Sequence, residues 1–172
     1  MRAALLLQRA HPEYYKVLNI LIAAGVIVDV VAQDQSAGET PIHMNLRVHT
    51  TVRSMDDVLG AANFAICHGR ASEVHQLVYL GVPVAAFPIE TCEHALCQKL
   101  LSTEIGWVRE AGSQNPVDAF VERILTEATQ KKRKVEAFRR GHPPANAWVL
   151  GQKILVTHVY EVRSDLRYSV SA

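Results

Sequence analysis

The chain is organised around residues 63–98, which read NFAICHGRASEVHQLVYLGVPVAAFPIETCEHALCQ. The apolar run Phe64–Cys67 predicts a short buried strand that stops at His68. Apolar residues then recur at helical spacing until Gly81, and Val82–Phe87 forms a second apolar run. A strand, a helix and a second strand make a βαβ unit with a right-handed crossover. Ligands of parallel sheets bind beyond the carboxyl ends of the strands. His68 lies at such an end and is therefore the first candidate binding residue.

The same alternation of strands and helices extends over the rest of the chain. Further strands are predicted at Ala3–Gln8, Val26–Ala32, Asn45–Val52 and Trp107–Arg109. Further helices are predicted from Pro12 to Gly25, from Ser54 to Ala61, from Thr91 to Thr103, after Asn115 and Pro116, and over Ala147–Val162. We therefore expect one α/β domain over residues 1–162, Rossmann-like and three-layered, with a frayed tail at residues 163–172. Its mostly parallel sheet would have about five or six strands.

The size and composition of the chain exclude several classes of protein. Its 172 residues suit one domain with a real core. The net charge of +1 gives no overall field for nucleic acid, so we expect no nucleic-acid partner. Three cysteines in apolar surroundings are too few for a disulfide framework, and the cytoplasm is the expected location. No apolar run reaches the length of a membrane span, and the N-terminal residues lack a signal-peptide pattern.

The turn after the central strand is a candidate anion site. Gly69 permits a positive φ or a close backbone approach, and the following helix offers free N–H groups at its start. His68 can donate a hydrogen bond, Arg70 adds a charge, and Gln76 lies one turn further on, within reach of sugar hydroxyls. The spacing alone favours a plainer interpretation, in which His68 is satisfied by the backbone in an ordinary strand–helix turn. The chain has neither a GxGxxG motif nor a P-loop lysine.

Two other groups of residues are weaker candidates. Cys92, His94 and Cys97 resemble part of a zinc site, but a structural site needs four ligands and no fourth is evident, so we expect no metal. The two cysteines are better explained as small core or pocket residues. The basic run Lys131–Lys134 suits either a polyanion patch or, as we favour, a solvated face at the C-terminus of a helix.

Several short motifs follow one another in a fixed order along the centre of the chain. They are Val52-Arg53-Ser54-Met55, Leu59, Asn63–Cys67, His68-Gly69-Arg70, Ser72-Glu73-Val74, Gln76, Gly81-Val82-Pro83 and Pro88. In this order, and in its intervals from His68 to Gly81 and on to Pro88, the chain resembles the donor-binding, C-terminal half of GT-B glycosyltransferases that use nucleotide sugars. A fainter match of strands and helices extends from Ala3 to about Val162.

The resemblance implies a transferase of the hexosyltransferase type whose donor substrate is a nucleoside diphosphate sugar, of UDP or dTDP type, with no cofactor. It places His68 at the diphosphate, the turn at Ser72–Val74 around the phosphates, and Gln76 at the ribose. The remaining candidate donor contacts are Gly69 and Arg70 in the turn, Val52, Arg53 and Met55 near the nucleobase, Gln8 and Arg9 in the first loop, and Cys92 and Glu93 near the sugar. No residue of this half receives a catalytic role.

One departure from the family pattern bears directly on the diphosphate. Glu73 stands where the family has a small hydroxyl residue, which places a carboxylate close to the expected phosphates. Arg70 stands where the family has a second glycine. Arg70 could offset Glu73 as an ion pair, but an exposed pair would contribute only about 0–1 kcal/mol.

The family binds donor and acceptor in two α/β domains, and 172 residues suffice for one of them. We therefore expect an N-terminal acceptor domain or a partner subunit outside this chain, and little catalysis by the chain alone. The predicted helix Ala147–Val162 resembles the family's helix that packs on that domain. Apolar surface left uncovered there would favour self-association into a homo-oligomer.

Two alternatives to a transferase half stay open. A degenerate, non-catalytic subunit or regulatory relative would keep the fold without sugar transfer. Half of a sugar-nucleotide epimerase would bind UDP but carry out a different reaction. Nucleotide binding separates the transferase half and the epimerase half from the non-catalytic relative. Adding the missing domain and looking for sugar transfer or epimerisation separates the transferase from the epimerase.

Overall fold

The computed structural model describes residues 1–31, 43–49, 55–89, 91–110 and 112–142, with the backbone alone for residues 91–95. The strands of this part are β1 (Arg2–Leu5), β2 (Ile27–Val31), β3 (Leu46–His49), β4 (Phe64–Cys67), β5 (Val84–Ala86) and β6 (Gly106–Val108). The helices are α1 (Tyr14–Ala23), α2 (Met55–Gly60), α3 (Ala71–Tyr79), α4 (Thr91–Ser102) and α5 (Val117–Gly141). The predicted helix Ala147–Val162 and the tail at 163–172 lie outside these residues.

The six strands form one sheet in the order β3-β2-β1-β4-β5-β6, and every neighbouring pair is parallel. The expected α/β fold is therefore confirmed, with a sheet that is parallel throughout the described residues. The chain moves outward from β1 to β3 and then returns to place β4 on the other side of β1. The crevice where the strand order reverses is the usual ligand position in open parallel sheets.

Helices cover both faces of the sheet, which gives the three expected layers. On one face α1 and the first half of α5 pack on the sheet, with Leu21 and Val121 among the buried side chains. On the other face α2, α3 and α4 pack through side chains that include Leu59, Leu77 and Leu100. Burial on both faces explains why the central strands are apolar at every position rather than at alternate ones.

The predicted helix ends at Gly25 and Gly81 are confirmed. Gly81 has φ +76° and follows the last turn of α3. The Val82 N–H donates to the carbonyl of Leu77 at 2.9 Å, and the Gly81 N–H donates to the carbonyl of Val78 at 3.0 Å. These two bonds form a Schellman motif, which requires a left-handed residue and so favours glycine.

Helix α5 is longer than the sequence suggested, and one interpretation was wrong as a result. The basic run Lys131–Lys134 lies inside the helix rather than at its C-terminus. Lys131 donates to the backbone oxygen of Glu104 at 3.0 Å, and Lys132 donates to that of Ala62 at 2.9 Å. These oxygens lie just beyond the ends of α4 and α2, where carbonyls lack helical partners. The lysines therefore tie α5 to two other helix ends.

The N-terminus of α5 also differs slightly from the prediction. Pro116 is the residue that precedes the helix, with φ −56° and ψ 142°, and the helix itself begins at Val117. Within the described ranges, no helix has both the length and the apolar character that a membrane crossing requires.

A buried carboxylate in β2 was not identified from the sequence. The Asp29 side chain is fully buried and accepts hydrogen bonds from Arg2 of β1, one of them to Oδ1 at 3.0 Å. His49 Nε2 of β3 lies 2.8 Å from the same Oδ1. Burial raises the pKa of Asp29, but the bonds from Arg2 and His49 outweigh burial and hold that pKa below its ordinary value. The carboxylate thus links three neighbouring strands.

We expect Asp29→Asn to lower the free energy of unfolding by about 1–3 kcal/mol at pH 7, because charge-assisted hydrogen bonds contribute about that much. A carboxyl whose pKa is lowered by folding stabilises the protein above the unfolded pKa, near 3.9, and this stabilisation disappears as the pH falls through the folded pKa. The difference between wild type and variant should therefore shrink below about pH 4. Urea unfolding at several pH values measures it.

The matched control is Asp118→Asn, because Asp118 pairs with Lys16 at 3.2 Å on the surface and its side chain is 66% exposed. That variant should change the unfolding free energy by less than about 1 kcal/mol. Equal, pH-independent losses in both variants would contradict the stabilising role of Asp29.

A second stability prediction concerns Gly106 in β6. A Cβ atom at this position would lie 2.5 Å from the backbone oxygen of Val84 in the paired strand. We expect Gly106→Ala to cost about 1–3 kcal/mol, because the two backbones must separate to admit the methyl group. Gly60→Ala is the control, since a Cβ there would meet nothing within 4 Å. Equal urea midpoints for the Gly106 variant and wild type would contradict the close approach.

Candidate anion-binding site at the sheet switch point

Two chain segments meet at the crevice where the strand order reverses, which is the switch point of the sheet. The backbone N–H of Gln8, in the loop after β1, donates to His68 Nε2, beyond the end of β4, at 3.3 Å. Because a backbone N–H can only donate, Nε2 acts as the acceptor, and a neutral imidazole in this arrangement carries its proton on Nδ1. The bond fixes the loop after β1 against the end of β4.

The second feature of the site is the pairing of His68 with Glu73, the third residue of α3. Both residues are buried, with 2% and 5% of their surface exposed. Glu73 Oε2 accepts a hydrogen bond from the backbone N–H of His68 at 3.2 Å, and Oε1 lies 3.7 Å from His68 Nδ1. Among the described residues, neither Oε1 nor Nδ1 has a hydrogen-bond partner. Two buried polar atoms therefore face each other just beyond bonding distance.

This geometry bears on the exposed pair that Glu73 and Arg70 could form, because the Glu73 carboxylate is buried on the inner side of α3. The carboxylate also affects Cys67, the last residue of β4. Burial, and next the charge of Glu73, raise the pKa of the Cys67 thiol well above its ordinary value, so the thiol stays neutral.

Gly69 forms the turn between β4 and α3 with φ +88°. A Cβ atom at Gly69 would lie 2.8 Å from Cys97 Sγ and 3.1 Å from the Cβ of Ala86. The buried position of Cys97 confirms its interpretation as a small core residue. Both the positive φ and the lack of space restrict this position to glycine.

The start of α3 presents backbone donors to the same edge of the sheet. Arg70 precedes the helix, and its own side chain forms no hydrogen bond that caps it. The N–H groups of a first helical turn have no intrahelical acceptor, and those of Ala71 and Ser72 belong to exposed residues. Val74 was also predicted at the phosphates, but its N–H already donates to the Arg70 carbonyl at 3.0 Å within the helix, and its side chain is buried in the core.

Gln76, predicted at the ribose, lies further along α3 near α2. Its Nε2 donates to Asp56 Oδ1 at 2.8 Å on the exposed side of both helices. The side-chain oxygen of Gln76, Oε1, is an acceptor that this bond does not use. Met55, predicted near the nucleobase, is the first residue of α2, and its partly buried side chain packs against the core.

His11 belongs to the site but received no role from the sequence. It is 8% exposed, and its ring centroid lies 5.9 Å from that of His68 and 5.8 Å from that of Phe87. Its Nδ1 accepts the backbone N–H of Glu13 at 3.1 Å. The only sequence signal was its place in the loop after β1, which became informative once the strand order was known.

Arg109 stabilises the other end of the loop after β1, next to α1. Its Nε donates to Glu13 Oε2 at 2.8 Å, and its Nη1 donates to the Asn115 carbonyl at 2.8 Å. Arg109 follows β6 and is 8% exposed. A buried, paired guanidinium of this kind holds the loop after β1 across the carboxyl edge of the sheet.

The structure brings part of the predicted set together. Gln8, His68 and Glu73 are in contact, and Gly69 shapes the turn beside them. Arg9 and Arg70 follow the two strand ends and are partly exposed. Val52 and Arg53 lie outside the described residues, as do the side chains of Cys92 and Glu93. Among the residues whose side chains are described, no group of three or more His, Cys, Asp or Glu could hold a metal ion.

Comparison with known proteins gives a structural likeness only. No protein-family model matches the chain, and no curated protein matches it. Solved structures do match, and the glycotransferase of kitacinnamycin aligns with 89% of the chain at a TM-score of 0.67 and 17% identity. The spinosyn forosaminyltransferase SpnP aligns with 91% of the chain at a TM-score of 0.66 and 19% identity.

A third structure carries a nucleotide. It is the glycosyltransferase SsfS6 of Streptomyces sp. SF2575, complexed with thymidine diphosphate, which aligns with 88% of the chain at a TM-score of 0.60 and 18% identity. The chain spans 42%, 44% and 41% of the length of these three proteins. At such identities the likeness establishes the fold, and this chain has the fold of one Rossmann-like half of a GT-B glycosyltransferase.

Proposed function

We propose that this chain is the donor-binding half of a glycosyltransferase and that it binds the nucleoside diphosphate part of a sugar donor at the switch point. One observation carries the proposal: the Gln8 N–H, the His68 imidazole and the exposed start of α3 converge on one crevice. Backbone donors and a helix N-terminus favour an anion, and the crevice is where parallel sheets bind nucleotides.

In sugar transfer, the proposed role of this chain is to stabilise the diphosphate as it leaves the sugar. When the bond between sugar and diphosphate breaks, negative charge develops on the phosphate oxygens. The N–H groups of Ala71 and Ser72, the Gln8 N–H and a donor on His68 would bind that charge in fixed positions. These groups need no cofactor, and they leave activation of the acceptor to residues outside the described part of the chain.

A pyrimidine nucleoside diphosphate, UDP or dTDP, is the proposed ligand. The thymidine diphosphate in the SsfS6 complex supports this choice. Because the chain matches about two fifths of such proteins, the acceptor and its general base would come from a further domain or a partner subunit. The chain by itself would bind donor without transferring sugar.

Glu73 favours a second candidate, a non-catalytic relative of the transferases that acts as a subunit or regulator. Its buried carboxylate lies beside His68, where it opposes a second anion by charge repulsion. The two candidates differ in whether the crevice binds a nucleotide.

We expect isothermal titration of UDP, dTDP and GDP to give saturable binding for UDP or dTDP. His68→Ala should weaken that binding at least about tenfold, or about 1.4 kcal/mol, because it removes a side chain at the centre of the crevice. His75→Ala is the matched control, since His75 is an exposed imidazole on the same helix. The control should leave the Kd unchanged.

Two results would count against a donor site. Absence of binding by all three nucleotides would favour the non-catalytic subunit. Binding that His68→Ala leaves intact would place the nucleotide elsewhere on the chain.

A further inference from the structure

The facing atoms His68 Nδ1 and Glu73 Oε1 are the least satisfied buried groups at the switch point. They lie 3.7 Å apart, both are inaccessible to solvent, and neither has a hydrogen-bond partner in the part of the chain that the structure describes. Buried polar atoms without partners are rare in native proteins because desolvating them is costly. A small closure of the turn would convert the pair into a charge-assisted hydrogen bond.

The hydrogen-bond role of His68 Nε2, on the opposite side of the imidazole, must also change when an anion binds. His68 Nε2 accepts the Gln8 N–H at 3.3 Å, and an anion in the crevice would need a donor at that nitrogen. Moving the single imidazole proton to Nε2 would leave a lone pair on Nδ1 facing the Glu73 carboxylate, which is repulsive. Adding a second proton avoids this, because Nδ1–H then faces Glu73 and Nε2–H faces the anion.

We infer that Glu73 is a positioning residue that makes anion binding at His68 proceed with the uptake of one proton. The proton comes from the solvent and adds to Nε2, and no covalent bond changes. The anion also receives the Gln8 N–H, which gives up its bond to Nε2. The inference rests on the proposed function for the identity of the anion, but the role of Glu73 would be the same for any phosphate.

The other groups around His68 fit this assignment. His11, in the loop after β1, has its ring centroid 5.9 Å away, and its Nδ1 already accepts the Glu13 N–H. Cys67 at the end of β4 holds a neutral thiol. Arg9 and Arg70, which follow the ends of β1 and β4, are cations that favour the anion rather than the proton. Glu73 is therefore the anionic partner that stabilises an imidazolium at His68.

The test is calorimetric titration of UDP, dTDP and pyrophosphate in buffers of different ionisation enthalpy, between pH 7 and pH 8.5. In this range the terminal phosphate of UDP or dTDP is mostly ionised and an ordinary imidazole is mostly neutral. Pyrophosphate still carries a proton of its own, so its proton uptake is taken as the difference between wild type and Glu73→Gln. We expect wild type to take up close to one proton on binding, and its Kd to rise about tenfold per pH unit at the upper end.

Glu73→Gln is the informative variant. The amide keeps an acceptor for the His68 backbone N–H and can donate to Nδ1, which leaves Nε2–H for the anion without a second proton. Proton uptake should vanish and the Kd should become independent of pH. Glu122→Gln, the same change at an exposed site on α5, should behave like wild type.

Nitrogen-15 NMR of the imidazole provides a readout that needs no ligand. Free wild type should show the tautomer with the proton on Nδ1, because Nε2 accepts the Gln8 N–H and Nδ1 faces the Glu73 carboxylate. The opposite tautomer in free wild type would overturn the inference.

The titrations separate the inference from the proposed function. Nucleotide binding without proton uptake would overturn the inference alone. Proton-linked binding of pyrophosphate without nucleotide binding would support the inference and count against the donor site. Absence of binding by all three anions would overturn both.

Discussion

The fold depends on the position of β1, which pairs with β2 on one side and β4 on the other. Parallel strands need a crossover between them, so the chain must move outward from β1 and then return past it. This return produces the reversal of strand order, and with it a crevice that no single βαβ unit contains. The loop after β1 and the turn after β4 meet there because both follow strands that end at the same edge.

The charges inside the molecule are paired, and the pairs hold its parts together. Asp29 links β1, β2 and β3, while Arg109 ties the loop after β1 to the segment beyond β6. Burying a charge is costly unless hydrogen bonds compensate, so each of these residues needs its partners in place for the fold to form. The His68–Glu73 contact is different, since 3.7 Å leaves one atom of each group unsatisfied. That difference is the reason for placing the proposed anion site at the switch point.

The alignment with solved glycosyltransferases concerns the arrangement of helices and strands and carries no information about the side chains of the crevice. On the proposed function, the buried Glu73 beside His68 would affect which anions the crevice binds and at what pH. The Gln76 amide nitrogen donates to Asp56, which leaves the side-chain oxygen of Gln76 as the acceptor on the outer side of α3. An anion site is therefore defined by its proton balance as well as by its geometry.

The sequence by itself determined the α/β class, the parallel sheet, the glycine-terminated helices and the turn after β4. Each of these depends on local features: apolar runs, helical spacing, and residues such as Gly69 and Gly81 that permit a left-handed backbone. Tertiary structure alone decided that the Glu73 carboxylate is buried against His68, that the His11 ring approaches His68, and that Asp29 is fully buried among three strands. The burial of Glu73 depends on how α3 packs on the sheet. The positions of His11 and Asp29 depend on which elements become neighbours after a long crossover, and the local pattern of residues carries no signal for such distant packing.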